Sequence, residues 1–392
     1  MTAPAAPTRA GLFAAFASLG VTASFVPAVL PATERALEAD LSVAVPALFA
    51  GLLVGVLLSG PLLVRRPARV TVIAGSALQA VAIVAGACAG GAALFVAAAA
   101  LAGLGFGLVE AAGSVSAKVA STGSATGLLS ALMGTVAICA AATPLVIAAG
   151  AGMRPALSIL CVVPLATIVL LAIAPAARTD PAHGVTVAPG VRRRRALLPL
   201  LPFAVALPLY VGVETVLSGW SAVIPQRALA LDASVAAVGT TAFWALMAVG
   251  RFGTAALRRR AVRPALILVI GTLGAAALMA TAGLLIATSP VGALIALAAS
   301  VVLLAPSYGL ILGLALDRLD ADRSAAVTGA LVACGAVGGT FVPTLVLLVG
   351  RDPASSATFV VSAVLCAVVP VLVGLAQYQR RGADQRTLVA EP

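Results

Sequence analysis

The sequence predicts an all-α integral membrane protein of twelve transmembrane helices in two six-helix, pseudo-symmetric halves, and three observations carry that reading. Hydrophobic residues make up 62% of the 392 and charged residues only 9%, with a mean hydropathy of +1.15. A soluble domain carries roughly 25% charged residues. Uncharged or nearly uncharged stretches of about 20 residues, enough for a helix to cross roughly 30 Å of hydrocarbon, recur along the chain. The basic residues cluster between these stretches, as the loops of a membrane protein require.

In order, the stretches run at 10 to 31, 41 to 64, 70 to 88, 92 to 115, 127 to 150 and 155 to 175. They resume at 197 to 224, 233 to 256, 264 to 288, 290 to 316, 325 to 349 and 355 to 377. The first follows Arg9 as the core of a signal peptide would, but it is too long and lacks a small-x-small exit, so it is expected to remain in the protein. Threading twelve spans with both termini on one side leaves only Arg35, Arg154, Arg227 and Arg351 of the 24 basic residues on the other. The positive-inside rule then makes both termini cytoplasmic. Lys118 is the single lysine, and arginine with abundant alanine suggests a GC-rich bacterial genome, hence the inner membrane.

The longest internal loop, "ARTDPAHGVTVAPGVRRRR" (177 to 195), divides the spans six and six. The expected organisation is an N-terminal six-helix half at 1–175, a cytoplasmic linker at 176–196, a C-terminal half at 197–378 and a cytoplasmic tail at 379–392. Each half has an arginine-rich loop after its second span, "GPLLVRRPAR" (60 to 69) and "GRFGTAALRRR" (250 to 260). Matching loops imply a parallel repeat, and such repeats hold their substrate near the bilayer midplane between the halves.

Composition also excludes functions. The net charge of +11 and isoelectric point near 10.9 suit loops on anionic lipid, not a nucleic-acid reader, which needs a basic face with aromatic or polar contacts. Cys88, Cys139, Cys161, Cys334 and Cys366 lie in apolar runs without a C-x-x-C pair, so they read as reduced packing residues and no metal site is expected. His183 has no acid and nucleophile around it, so no enzyme is expected.

Six plus six spans, a basic central loop and the glycine-led loops at Gly60 with Arg65 and at Gly250 with Arg251 resemble the major facilitator superfamily over essentially the whole chain. In that superfamily the first loop has an acid four residues after the glycine and then a second glycine; here Val64 and Pro67 stand there. "GLVEAAGSV" (107 to 115) and "YVGVETVLSGW" (210 to 220) resemble patterns of the fucose/galactose/glucose proton symporter branch. The resemblance implies protonation and substrate contact at Glu110 and matches Glu214 to the acid of the seventh span. It departs at Ser114, where the branch has asparagine, and in the first span, which offers Ser18, Thr22 and Ser24 in place of an acid.

The acids have a physical case of their own. A carboxylate at the centre of a spanning helix costs about 2.5–3.5 kcal/mol on insertion scales, so such residues mark cavities or proton paths. Glu110 lies about 9 Å from the inner end of its span and Glu214 about 15 Å from the outer end of its own, at 1.5 Å per residue. Arg251, near the inner end of span eight, either snorkels to the interface or pairs with an acid. The bland alternative for both acids is that they stay protonated and bond a neighbouring helix.

The substrate-binding set expected from the remaining polar and aromatic residues is Gln79, Glu110, Ser114, Tyr210, Glu214, Trp244 and Tyr308, with Glu110 and Glu214 as the proton-coupling pair. Trp220 suits either stacking or an aromatic belt at the outer boundary. Tyr308 follows Pro306, which predicts a break in span ten. The chain has no asparagine, so its cavity is poor in hydrogen bonds. Small-residue runs such as "GAVGGTFVP" (335 to 343) predict close helix contacts.

These observations predict a monomeric secondary transporter that moves a small organic solute by alternating access, with protons as coupling ion and no other cofactor. An exporter of amphiphilic compounds, and a non-transporting receptor or scaffold, are the competing expectations.

Overall fold

Twenty or so apolar residues in a bilayer can satisfy their backbone groups only within a helix or a closed barrel, and the apolar stretches described here form helices. The computed structural model describes residues 9–119, 126–149, 154–173, 198–259, 262–316, 318 and 321–390. The central linker expected at 176–196, with His183 and Arg192 to Arg195, lies outside the described residues.

The first spans are α1 (Arg9–Leu37), α2 (Ala44–Arg65), α3 (Ala68–Ala87), α4 (Ala92–Val119) and α5 (Thr126–Ala149). The sixth opens as a 3-10 segment, Arg154–Cys161, and continues as α6 (Val162–Ile173). Then come α7 (Leu201–Gly219), a short α8 (Val223–Leu229), α9 (Ala233–Arg259), α10 (Pro264–Leu285), α11 (Pro290–Leu304), α12 (Ser307–Leu316), α13 (Ala321–Gly350) and α14 (Ser356–Ala390). Among the described residues, 11 helical stretches are long and apolar enough to cross a membrane, and a shorter apolar one runs from Leu157 to Ile173. The expected spans are therefore all represented by apolar helix, the sixth by the shorter stretch. Span ten is divided, since α11 stops at Leu304 and α12 starts at Ser307, around the predicted break at Pro306.

The helices turn large apolar side chains outward, among them Leu284, Leu348, Ile138 and Phe252. In a multi-pass membrane protein those faces meet lipid. Hydroxyls inside the spans are satisfied locally: Thr22 donates to the Ser18 carbonyl at 2.8 Å, Ser116 to Ala112 at 2.7 Å and Thr215 to Val211 at 2.7 Å. This back-bonding to the preceding turn lets a polar residue sit in an apolar helix without a distant partner.

Packing divides the chain into two compact units, Met1–Gly184 with Leu217–Ala248, and Val185–Val216 with Val249–Pro392. In the first, α4 packs along α2 and α3, and α1 packs along α5, α6 and α4. Its core gathers Leu12, Phe16, Leu19, Val72, Val109, Leu132 and Leu171. The α2–α4 contact is made without side chains. A Cβ on Gly51 would meet the Ala100 carbonyl, one on Gly55 that of Leu104, one on Gly103 that of Leu48 and one on Gly107 that of Leu52. Such direct backbone approach is how small residues hold membrane helices together. In the second unit α10 packs against α11 and α14. There the run at 335 to 343 does as expected, since a Cβ on Gly338 would strike the Pro208 carbonyl of α7.

Arginines at helix ends tie each unit. Arg69 donates to the Ala172 carbonyl at 3.0 Å in the first. In the second Arg318 donates to Ala376 at 2.7 Å and lies 4.8 Å from the Phe203 ring centroid.

Candidate functional site

Each unit carries part of the predicted set. In the first, Ser18 of α1 donates to Gln79 Oε1 of α3 at 2.6 Å, and both side chains are fully buried. Gly75 and Gly105 let α3 and α4 touch, so that Gln79 packs directly against Gly105, five residues before Glu110. Gln79 Nε2 has no hydrogen-bond partner among the described residues, and neither has the buried Ser76 hydroxyl one turn earlier. Glu110 and Ser114 are half-buried and share a face of α4 at i and i+4. Trp244, half-buried on α9, stands edge-on to Phe243 with centroids 5.4 Å apart, and its indole N–H is without a partner among the described residues.

The second unit assembles its share more tightly. Tyr210 and Glu214 lie one turn apart on α7, and Glu214 Oε1 is 3.5 Å from Arg251 Nη2 of α9. Arg251 also donates from Nε to the Ala305 carbonyl, at the end of α11, at 3.4 Å. Gly250 makes this reach possible: a Cβ there would meet the Val302 carbonyl and Ala305, so α9 lies directly on the broken span. Tyr308, in the first turn of α12, brings its ring centroid within 6.4 Å of that of Tyr210. Of the two alternatives for Arg251, pairing is the one realised; its long apolar stem carries the charge to the acid.

Two expectations are corrected. Trp220 is not a belt residue: it is fully buried and donates its indole N–H to the Ser42 carbonyl at 3.3 Å. Its ring is covered because the segment 217–248 packs within the first unit. Cys88 is not packed in a span either, because α3 ends at Ala87 and leaves it exposed as the C-cap residue. The loop residues Gly60 and Arg65 are both exposed at the end of α2.

A cluster that the sequence reading missed joins the ends of α1 and α8. Arg227 donates through Nη2 to both Glu34 oxygens at 3.1 and 3.3 Å, to Asp40 at 3.5 Å and to the Ser42 hydroxyl at 3.3 Å. Beside it Arg35 donates to the Leu231 carbonyl at 2.7 Å and pairs with Asp232 at 3.5 Å. The signal was available, since Arg35 and Arg227 are two of the four arginines on the otherwise base-poor side.

Comparison with known proteins gives the fold a family. The profile of the Major Facilitator Superfamily matches residues 10–343. No curated protein sequence matches. Among solved structures, a D-xylose-proton symporter superposes with a TM-score of 0.78 at 15% identity, covering 93% of this chain and 96% of that one. The E. coli fucose:proton symporter does so with a TM-score of 0.65 at 17% identity over 94% and 98% of the two chains. A nucleoside transporter gives 0.70 at 10% identity over 94% and 99%. With a family match across most of its length on a multi-pass helical fold, the chain belongs to the major facilitator superfamily and is a transporter, not an enzyme.

Proposed function

We propose that the protein is a proton-coupled secondary transporter of a small organic solute, working by alternating access as a monomer in a bacterial inner membrane with both termini cytoplasmic. The observation that carries this reading is the Glu214–Arg251 pair: an acid inside an apolar span whose one ion-pair partner among the described residues lies 3.5 Å away. An acid so placed changes the charge of its surroundings each time it gains or loses a proton, and a buried unpaired charge is costly. Protonation therefore shifts the balance between conformations, and by linkage substrate binding shifts proton affinity in return. Glu110 on α4 is the second proton-coupling candidate, with Ser114 beside it on the same face. The likeness of fold to xylose-proton and fucose:proton symporters supports coupling to protons. The six-span halves 1–175 and 197–378 are joined by the linker 176–196, with Gly60, Arg65 and Gly250 at their loops.

Thermal stabilisation of the purified chain by a panel of solutes tests this at about pH 5.5 and about pH 7.5, which bracket the range where a buried carboxyl titrates. A stabilising solute should act differently at the two pH values on the wild type, and Glu110→Gln or Glu214→Gln should remove that difference. Stabilisation that is independent of pH and unchanged in both variants rejects proton coupling.

A further inference from the structure

The second unit's site has a chemistry more specific than a generic polar cavity. Its cation, Arg251, carries five N–H donors, of which, among the described residues, one faces Glu214 and one the Ala305 carbonyl. The Arg251 side chain is 36% exposed and that of Glu214 only 17%, so the guanidinium is the more reachable partner. Beside it stand the Tyr210 and Tyr308 rings. The Tyr210 ring and hydroxyl are buried, on the same face of α7 as Glu214. What the chain lacks is the amide set a polyol needs: it has no asparagine, and its mid-span glutamine, Gln79, belongs to the other unit. A spare planar donor fork, aromatic faces and one hydroxyl suit a carboxylate on a small apolar or aromatic body.

We infer that this site takes a small organic monocarboxylate, which binds the Arg251 guanidinium as Glu214 gives it up on taking a proton. This rests on the proton-coupled reading above and names its substrate class. In the empty site Arg251 and Glu214 cancel. In the loaded site the proton sits on a Glu214 oxygen, the carboxylate replaces it at Arg251, and the net charge is again zero. No bond of the substrate changes. A proton without the anion leaves one uncompensated positive charge, and the anion without the proton one negative charge. Both half-loaded states leave an unpaired charge within apolar spans, which disfavours them and enforces coupling. Among the described residues, the other titratable groups around Glu214 are Tyr210 on its own helix, Arg251 on α9 and Tyr308 on α12.

The test uses the full-length chain with lactate, benzoate and phenylacetate against lactamide, benzamide, phenylacetamide, D-xylose and L-fucose. Carboxylates should raise the melting temperature and their amides should not, with the effect larger at about pH 5.5 than at about pH 7.5, where Glu214 is less often protonated. Arg251→Gln should weaken carboxylate affinity by at least about tenfold, the loss of a charge-assisted contact. Arg251→Lys should recover part of it, and so distinguishes a lost contact from a lost fold. Glu214→Gln should keep carboxylate binding and lose its pH dependence. In liposomes, uptake of the stabilising acid should be electroneutral, unaffected by a potassium-diffusion potential. A panel in which no carboxylate stabilises the wild type overturns the inference, as does binding unchanged in Arg251→Gln. Stabilisation by D-xylose or L-fucose alone, still dependent on pH and Glu214, overturns the carboxylate but leaves proton coupling standing.

Discussion

Two arginines of this protein meet carboxylates, and they do so in opposite ways. Arg227 touches Glu34, Asp40 and Ser42 at once. Glu34 in turn accepts the Leu41 N–H at 3.0 Å, and Trp220 anchors the Ser42 carbonyl. Among the described residues, Arg251 meets one acid and one carbonyl. A cation with several partners keeps most of its interactions when any one is lost, so it braces. A cation with one acid must either keep that acid or exchange it for an equivalent anion. The number of partners, more than the distance, separates a structural ion pair from one available for exchange.

The largest effect expected from this contrast is functional. Arg251→Gln should reduce transport by about a hundredfold or more, since a site that relies on one charged contact loses several kcal/mol of differential binding with it. Its melting temperature should stay close to that of the wild type, measured side by side in detergent. A variant that melts early in proportion to its lost transport would make Arg251 a brace like Arg227.

Arg227→Ala should show the reverse. Hydrogen bonds to charged groups contribute about 1.5–3 kcal/mol each where burial is substantial, so the apparent stability should fall by roughly that amount, read by thermal or denaturant melts. Unchanged melting would show that the cluster does not hold α8 to α1. A smaller loss, about 0.5–1 kcal/mol, is expected for Arg227→Lys, which keeps the charge and loses the planar fork.

The smallest effect belongs to Asp40. Burial raises its pKa, but the Ser42 hydroxyl and N–H and the nearby Arg227 outweigh that, so its carboxyl lies below the ordinary range. A depressed folded value means that Asp40 stabilises the protein above the unfolded pKa of about 3.9, and that this contribution disappears as pH falls through the lower folded value. The difference in melting temperature between the wild type and Asp40→Asn should therefore be constant near neutrality and shrink only below about pH 4. Because the Asp40 side chain is 65% exposed, added salt should also reduce it. A difference that shrinks near neutrality instead would locate the titration at another group.

Span number and positions were legible in the sequence because length and hydropathy are properties of contiguous residues. The division of span ten was legible for the same reason, since Pro306 acts on its own backbone. Pairings were less so. Nothing local chooses between snorkelling and pairing for Arg251, because Glu214 is 37 residues away in sequence. The Ser18–Gln79 bond joins residues 61 positions apart, and the burial of Trp220 depends on where residues 217–248 pack. The Arg227 cluster joins residues nearly two hundred positions apart, and only the rarity of charge on that side hinted at it.

The glycine contact between α2 and α4 has a consequence for biogenesis. Gly51 and Gly55 leave α2 with a bare groove shaped for the backbone of a helix that starts only at Ala92. While the chain is being inserted, lipid tails or an assisting protein must fill that groove, since nothing in α2 itself closes it. The first half therefore reaches its final packing only after the fourth span has left the insertion machinery. A side chain at Gly103 would meet the Leu48 carbonyl and push that late partner off the groove waiting for it.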